Sequence, residues 1–334
     1  MARSHLTLAA LATSAVADLD LASAASFGAG GPSDFDSAIL TGRDGRHWII
    51  RVPRNEKAEA QQSADLVALR ALSVGVRTRL PFTVSSYVGQ TPVSGTRAIV
   101  YEFVYGSKVG LASFDAGPEG LAASVGRAVA AIHNLQTSFV ADAGLPVLSP
   151  VESLRASIST MDRAAATGLV PAALLGRWER AMEETKLWQF QPTVINGDLS
   201  AESFLSANGD VTGVLGWHDL RVDDPAHDLA WILGARGDAV ADSAFDAYAA
   251  VRGGSADRQL RQRATLYAEL EIAKWLLHGT ETRSTEIVDD AVEMLSSLVD
   301  SVHNDVMNPL GAQTMPTMAV DEVEAFLDRD RRAV

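Results

Sequence analysis

A chain of 334 residues, 47% hydrophobic and 21% charged, has ample material for a folded core in one two-lobed unit and is not of disordered composition. Its formal net charge of -14, from 28 basic and 42 acidic side chains, opposes nucleic-acid backbones and anionic membrane surfaces, so neither is an expected partner. Cysteine is absent, which excludes disulfides, thiolate nucleophiles and thiolate metal sites.

Leu6–Val16 is apolar and follows Arg3, as a signal peptide would. Threonine and serine interrupt it, however, and Asp18 and Asp20 follow. A first amphipathic helix is the expectation, with the cytoplasm as location. No run approaches the ~18 apolar residues of a membrane span. Ser26–Leu40 reads as strand, glycine turn, strand, and His47–Val52 as a further strand ended by Pro53. Leu66, Leu69 and Leu72 lie about one turn apart within Lys57–Leu72, which predicts a helix across the sheet. Phe82–Tyr87 and Arg97–Val104 add strands.

Beyond Phe114 the period changes. Leu121, Val125, Val129 and Ile132 make a helical stripe, and Pro150–Ala166 and Pro171–Thr185 read as further helices, the latter with proline in the first turn. An apolar strand is expected over Val211–Trp217, and Asp224-Pro225 is a helix start. Gln259–His278 and Glu286–Val302 are long helices. Asn308–Thr317 is linker-like, with a short helix at Val320–Leu327. The expected class is α+β: residues 1–104 a small lobe on an antiparallel sheet, 105–302 a larger helical lobe, 303–334 a linker and tail helix. A ligand commonly sits in the cleft between two such lobes.

Glycines between the first two strands let backbone approach a phosphate. Gly28, Gly30, Gly31 and Ser33 are the candidates, since Asp34 and Asp36 would repel phosphate if they faced inward; an ordinary hairpin is the alternative. Arg51 alternates with Ile50 and Val52 on its strand and faces either a phosphate pair or solvent. Asp65, or else Glu59, is the helix carboxylate that could orient it. Asp198 follows an apolar strand and a glycine, where a carboxylate could accept a hydroxyl proton; Asn196-Gly-Asp198 also reads as a plain turn. Asp223 and Asp224 read as surface and cap acids, and Asp228 as a buttress for the loop's amides. His133, His218, His227 and His278 lack zinc-site spacing and read as caps or packing residues. Glu269, Glu271 and Trp275 share a late helix and offer an acidic, apolar surface suited to a cationic amphiphile, or are solvated.

Ordered segments then carry a resemblance: Leu6-Thr-Leu-Ala-Ala-Leu-Ala12, Phe27-Gly-Ala-Gly-Gly31, Asp34-Phe-Asp-Ser-Ala38, Trp48-Ile-Ile-Arg-Val-Pro-Arg54, Gly144-Leu-Pro-Val147, Leu187-Trp-Gln-Phe-Gln-Pro-Thr193 and the stretch from Thr193 to Trp231. Over roughly residues 5–300 the chain resembles the macrolide 2'-phosphotransferases of the aminoglycoside phosphotransferase, or protein-kinase-like, superfamily. The resemblance implies a bilobal kinase-like fold and GTP or ATP with magnesium if the protein is active. It implies a base-binding hinge at Tyr101–Tyr105, with Glu102 and Val104, and Asp198 preparing a sugar hydroxyl of a cationic macrolide.

Against that pattern the chain departs. His-Gly-Asp-Leu-His-Pro appears as Asn196-Gly-Asp-Leu-Ser-Ala201, a metal position as Ser203, and Ile-Asp-Trp as Leu215-Gly-Trp217. Neither Ser203 nor Gly216 offers the carboxylate that magnesium favours. The expectation is a monomeric kinase-like protein with lost or strongly impaired transfer, kept as a binder of a small molecule or partner. The alternatives are an active enzyme with a metal site relocated to Asp219 or Asp223, a protein-interaction module using the tail, and a dimer.

Overall fold

The computed structural model describes residues 3–28, 34–255 and 257–304. The linker and tail helix expected beyond residue 304, with Gly30, Gly31 and Ser33, lie outside these.

The small lobe comprises α1 (His5–Ala15), β1 (Leu21–Ser26), β2 (Phe35–Gly42), β3 (His47–Pro53), α2 (Glu56–Ala71), α3 (Val74–Arg77), β4 (Thr83–Val84), β5 (Tyr87–Val93) and β6 (Thr96–Glu102). Five strands form an antiparallel sheet in the order β1-β2-β3-β6-β5. Strict alternation along β2 and β3 sends Ala38, Leu40, Trp48, Ile50 and Val52 to one face, where Leu8 and Ala12 of α1 cover them. The opposite register sends Ser37, Ile39, Ile49 and Arg51 to the other face, which α2 crosses. Two caps fix these helices: Ser4 accepts the amide of Thr7 at 3.2 Å, and Asn55 accepts that of Ala58 at 2.8 Å.

The large lobe holds β7 (Ser107–Lys108), α4 (Leu121–His133), α5 (Ser138–Asp142), α6 (Pro150–Ala165), α7 (Ala172–Glu183), β8 (Thr193–Ile195), β9 (Phe204–Ala207), β10 (Asp210–Val214), β11 (Arg221–Asp223), α8 (His227–Ala230), α9 (Asp238–Arg252), α10 (Leu260–Thr282) and α11 (Thr285–Asn304). The bilobal α+β expectation therefore holds. Helix α6 starts on a reciprocal capping box between Ser149 and Glu152. Leu66 and Leu69 of α2 belong to the same apolar cluster as Leu121, Val125, Trp178 and Trp217, so the core runs without a break from the small lobe into the large one.

Two local expectations shift. The strand after the Asn208-Gly209 turn ends at Val214, because Gly216 turns left-handed with φ 73° and breaks the ladder. Asp224 does not start a helix directly. Its Oδ1 accepts the amide of Ala226 at 2.9 Å, and helical turns begin at His227. Among the described residues no helix is long and apolar enough to cross a membrane.

Candidate active site

The turn Asn196-Gly197-Asp198 leaves β8, whose Val194 and Ile195 are fully buried. Fully buried Asp228, from α8, holds it: its carboxylate accepts the amides of Asn196 and Gly197 at 2.8 Å each, and His133 Nε2 lies at 3.1 Å. Gly197 has φ 90°, and a Cβ there would lie 2.3 Å from Arg221 Nη1 and 2.5 Å from the Asp219 carbonyl oxygen. Glycine is required on both counts. Asn196 accepts the Asp198 amide at 3.2 Å on its side-chain oxygen and donates from Nδ2 to the Gly216 carbonyl at 2.8 Å. The Asp198 side chain, 64% exposed, faces His218 Nε2 at 3.3 Å. The hydrogen bond to Asp198 raises the His218 pKa above the usual imidazole value, against the opposing effect of burial. The amide of Gln61, from α2, reaches the same ring nitrogen at 3.5 Å.

The expected metal positions hold no carboxylate. The Ser203 hydroxyl accepts the Ser200 amide at 3.1 Å and closes a short capping turn. At Gly216, no atom comes within 4 Å of where a Cβ would stand. The acids that might replace the lost one are joined to a single guanidinium. Arg221 contacts Asp219 through Nη1 and donates to Asp223 from Nε at 2.9 Å. Asp223 also accepts the Ser153 hydroxyl at 2.5 Å. Burial pushes the Asp223 pKa up, but His227, Ser153 and Arg221 outweigh it, and the net shift is downward. Asp224 is fully buried and clamped by Arg263 at 2.6 Å and Tyr267 at 2.8 Å. Among the described residues no three His, Cys, Asp or Glu side chains are placed to hold a metal. Magnesium, which takes near-octahedral oxygen ligands, does not fit this donor set.

Opposite, Arg51 stands over the Phe35 ring at 3.9 Å. Burial lowers its pKa, with Tyr101 and Asp65 acting the other way. Burial raises the pKa of Asp65, opposed by the amide of Trp217 and by the charges of Arg51 and His218. That amide donates to Asp65 Oδ1 at 2.8 Å and fastens α2 to the segment after β10. Glu59, the second candidate, instead lines a separate cavity with Gln90 and Arg97. Gly28 has φ 124°. Asp36 points away from the cleft into a buried ion pair with Arg54 at 2.8 Å and Arg3 at 3.0 Å. Asp34 accepts Asn55 Nδ2 at 2.7 Å.

At the hinge, Glu102 pairs with Arg46 at 3.2 Å and Val104 is buried. Phe27, His47, Phe103 and Tyr105 form a chain of aromatic contacts with centroid separations of 5.0–6.3 Å, and the His47 ring and Tyr105 hydroxyl meet at 2.9 Å. On α10, Glu269 is buried and bound by Arg177 Nη2 at 2.9 Å and Trp178 Nε1 at 2.8 Å. Glu271 is exposed beside Lys274 at 2.5 Å. Trp275, 38% exposed, stacks on His278 and donates to Asp290 at 2.8 Å. The three therefore occupy different surroundings.

Hydrogen bonds thus link Asp198 and Asp65 to the Gly216–Trp217 step, through Asn196 and the Trp217 amide, and the charge of Arg51 acts on Asp65. The structure adds two residues that the linear reading did not assign to the site, His218 and Arg221. His218 is neither cap nor core, which corrects that expectation. Its position two residues after Gly216 was the available signal.

A family model described as "Phosphotransferase enzyme family" matches residues 28–267. Among solved structures, the fold is similar to that of the apoenzyme of macrolide 2'-phosphotransferase MphH from Brachybacterium faecium. The TM-score is 0.70 and identity 24%, over 87% of this chain and 97% of that one. It is also similar to the GDP complex of wild-type aminoglycoside 2'-phosphotransferase-IIIa, with TM-score 0.70 and 19% identity over 90% of this chain and 100% of that one. The uncharacterized protein YcbJ of Bacillus subtilis (strain 168) is 22% identical over 200 residues, which span 59% of this chain and 65% of that protein.

Proposed function

The chain belongs to the phosphotransferase enzyme family, and from that premise we propose that it has lost, or nearly lost, phosphoryl transfer and retains its cleft to bind a small molecule. One observation carries this reading: Gly216 has no side chain to offer a ligand oxygen, and its carbonyl is taken by Asn196, while Asp219 and Asp223 are both bonded to Arg221. A transferring phosphoryl group needs positive charge on its equatorial and bridging oxygens, and a metal commonly supplies it. Loss of such preorganised electrostatics is worth about 3–4 kcal/mol for even one donor, or some two to three orders of magnitude in rate. Asp198 can still orient an alcohol through its exposed carboxylate, but it adds negative charge where the donor phosphates would lie.

In this reading Arg51, Asp65, Gly28 and the hinge residues Glu102 and Val104 form the nucleotide side, and Gly30, Gly31 and Ser33 are further candidates from the sequence. Glu271 and Trp275 are the candidates for a cationic ligand such as a macrolide amino sugar. The test is incubation of the purified protein with magnesium, GTP or ATP, and a panel of macrolides, read by mass spectrometry, alongside binding of the same macrolides by calorimetry. The expected result is binding without phosphorylated product. Sustained, magnesium-dependent product formation would overturn the proposal.

A further inference from the structure

We propose that the small lobe carries a second ligand site, outside the cleft, for a small zwitterion with an ammonium and a carboxylate, of the size of a free amino acid. The site stands whether or not the cleft transfers phosphate.

It is the cavity of about 310 Å³ where the first turns of α2 pass the β5–β6 hairpin, walled by Glu59, Gln90, Thr91, Pro92, Thr96 and Arg97. That volume is at the low end of ligand cavities, roughly 300–1,000 Å³. Strand β5 is the edge of its sheet, so the cavity lies at the rim. Ser94 and Gly95, with φ 42° and 85°, make the tight hairpin turn and set Pro92 opposite Arg97. Along β6, Ala98 and Val100 belong to the cluster under α1, whereas Ile99 and Tyr101 belong to the core on the α2 side. Alternation sends Arg97 to that second face. Helix α2 meets it with positions 59, 62 and 63, neighbours on one helical face. The Ser63 hydroxyl accepts Arg97 Nη2 at 2.9 Å, and Gln62 Nε2 donates to the Arg97 carbonyl at 3.2 Å. Helix and strand are thereby fastened across the cavity floor.

Two opposite charges line this cavity without pairing. Arg97 is partly buried and bonded to the neutral Ser63, and the partly buried Glu59 carboxylate has no hydrogen-bond or ionic partner among the described residues. Such a wall presents a fixed dipole. A ligand ammonium suits Glu59, and a ligand carboxylate suits the planar guanidinium fork. The neutral groups add an independent observation. Gln62 is 4% exposed, and its Oε1 has no hydrogen-bond partner; nor does the buried hydroxyl oxygen of Thr96. Buried polar atoms are nearly always bonded, so each is an acceptor or donor awaiting a group. An ammonium has three N–H donors, enough for Glu59 and for Gln62 Oε1 one turn further along the helix. The Gln62 amide turns on a soft terminal torsion, so its oxygen can meet a bound donor. The Thr96 hydroxyl can donate to the carboxylate end. A lone anion would leave Glu59 and Gln62 Oε1 unmet, and a lone cation would face Arg97, so both ends of the ligand are charged.

The experiment is a thermal-shift and calorimetric screen of the full chain, without nucleotide, against the free amino acids and β-alanine at millimolar concentration. The N-acetyl and carboxamide forms of the best binder follow. All are repeated on Glu59→Gln and Arg97→Gln, with thermal melting to show that each variant is folded. At least one free amino acid is expected to bind, and either blocking group to weaken it by about tenfold, as loss of a charge-assisted contact implies. Each variant should weaken the unblocked ligand by a similar factor. Acetylation should then cost little more in Glu59→Gln, and amidation little more in Arg97→Gln, a pairing that a merely structural role would not produce. Should Arg97→Gln fail to fold, the Glu59→Gln arm decides alone. No binding by any free amino acid, equal binding of the blocked forms, or unchanged affinity in folded Glu59→Gln would each overturn the inference.

Discussion

The side-chain amide of Asn196 donates to the carbonyl of Gly216 at 2.8 Å, tying the turn that carries Asp198 to the left-handed step that follows β10. The two halves of the expected active site thus remain locked together although the acid between them is missing. A side chain restored at position 216 would start in open space.

Replacing Gly216 by Asp should therefore create metal affinity in a scaffold that now disfavours it. The φ of 73° costs an L-residue about 1–2 kcal/mol, with Asp among the better-tolerated side chains. We expect Gly216→Asp, especially combined with Ser203→Asn, to gain magnesium- or manganese-dependent nucleotide binding by calorimetry. Nucleotide binding that stays blind to both metals would show that the missing carboxylate is not what excludes them.

The His218–Asp198 contact has a titration signature. The folded His218 pKa lies above the unfolded value of 6.5, chiefly through its hydrogen bond to Asp198. The stabilisation is therefore fully present below pH 6.5 and is lost as pH rises through the folded pKa. In Asp198→Asn, the His218 ring resonances followed by NMR should titrate at lower pH than in the parent protein. The decline in stability just above pH 6.5 should also flatten. An unmoved titration would exclude the pair.

Gly197→Ala tests how tightly the turn is packed. The new Cβ would meet Arg221 Nη1 and the Asp219 carbonyl at 2.3 and 2.5 Å, at φ 90°. Backbone strain and overpacking each cost roughly 1–3 kcal/mol, so a loss of about 2 kcal/mol or more is expected in urea unfolding. A loss below about 0.5 kcal/mol would mean that the turn relaxes freely.

Arg263 is fully buried, bonded to Asp224 at 2.6 and 3.1 Å and to the Leu187 carbonyl at 3.0 Å, over the ring of Phe190. Removing one partner of such a pair strands the other charge, at about 3–5 kcal/mol. Arg263→Met should destabilise the protein by that order in chemical denaturation, and Arg263→Met with Asp224→Asn by less than the sum of the two single changes. Simple additivity would show that the two side chains are not coupled.

Much of the fold was legible because burial leaves a period in the sequence. The alternation of His47–Val52 marks the face that α1 covers, and the spacing of Leu121, Val125, Val129 and Ile132 marks a helix that is buried almost all round. The turn at Asn196-Gly-Asp198 was legible through spacing, and the buttressing role of Asp228 was expected from its position near the loop. Arg221 was not legible, since an arginine between acids on a short strand looks the same whether it faces water or bridges Asp219 and Asp223. His218 was hidden for a related reason. Its place two residues after Gly216 puts it near the catalytic stretch, but that spacing does not encode its meeting with Gln61 of the other lobe. The departure of Glu269 from Glu271 follows from helix geometry: positions i and i+2 are about 200° apart, so one acid turned inward leaves the other facing out.

Helix α1 closes the back of the sheet with Leu8 and Ala12, giving the small lobe an apolar centre of its own that includes Leu40, Trp48, Ile50 and Val100. The sheet is held between α1 behind and α2 in front. The cleft wall that carries Arg51 is thus built before any guest arrives, and occupancy has little architecture left to create.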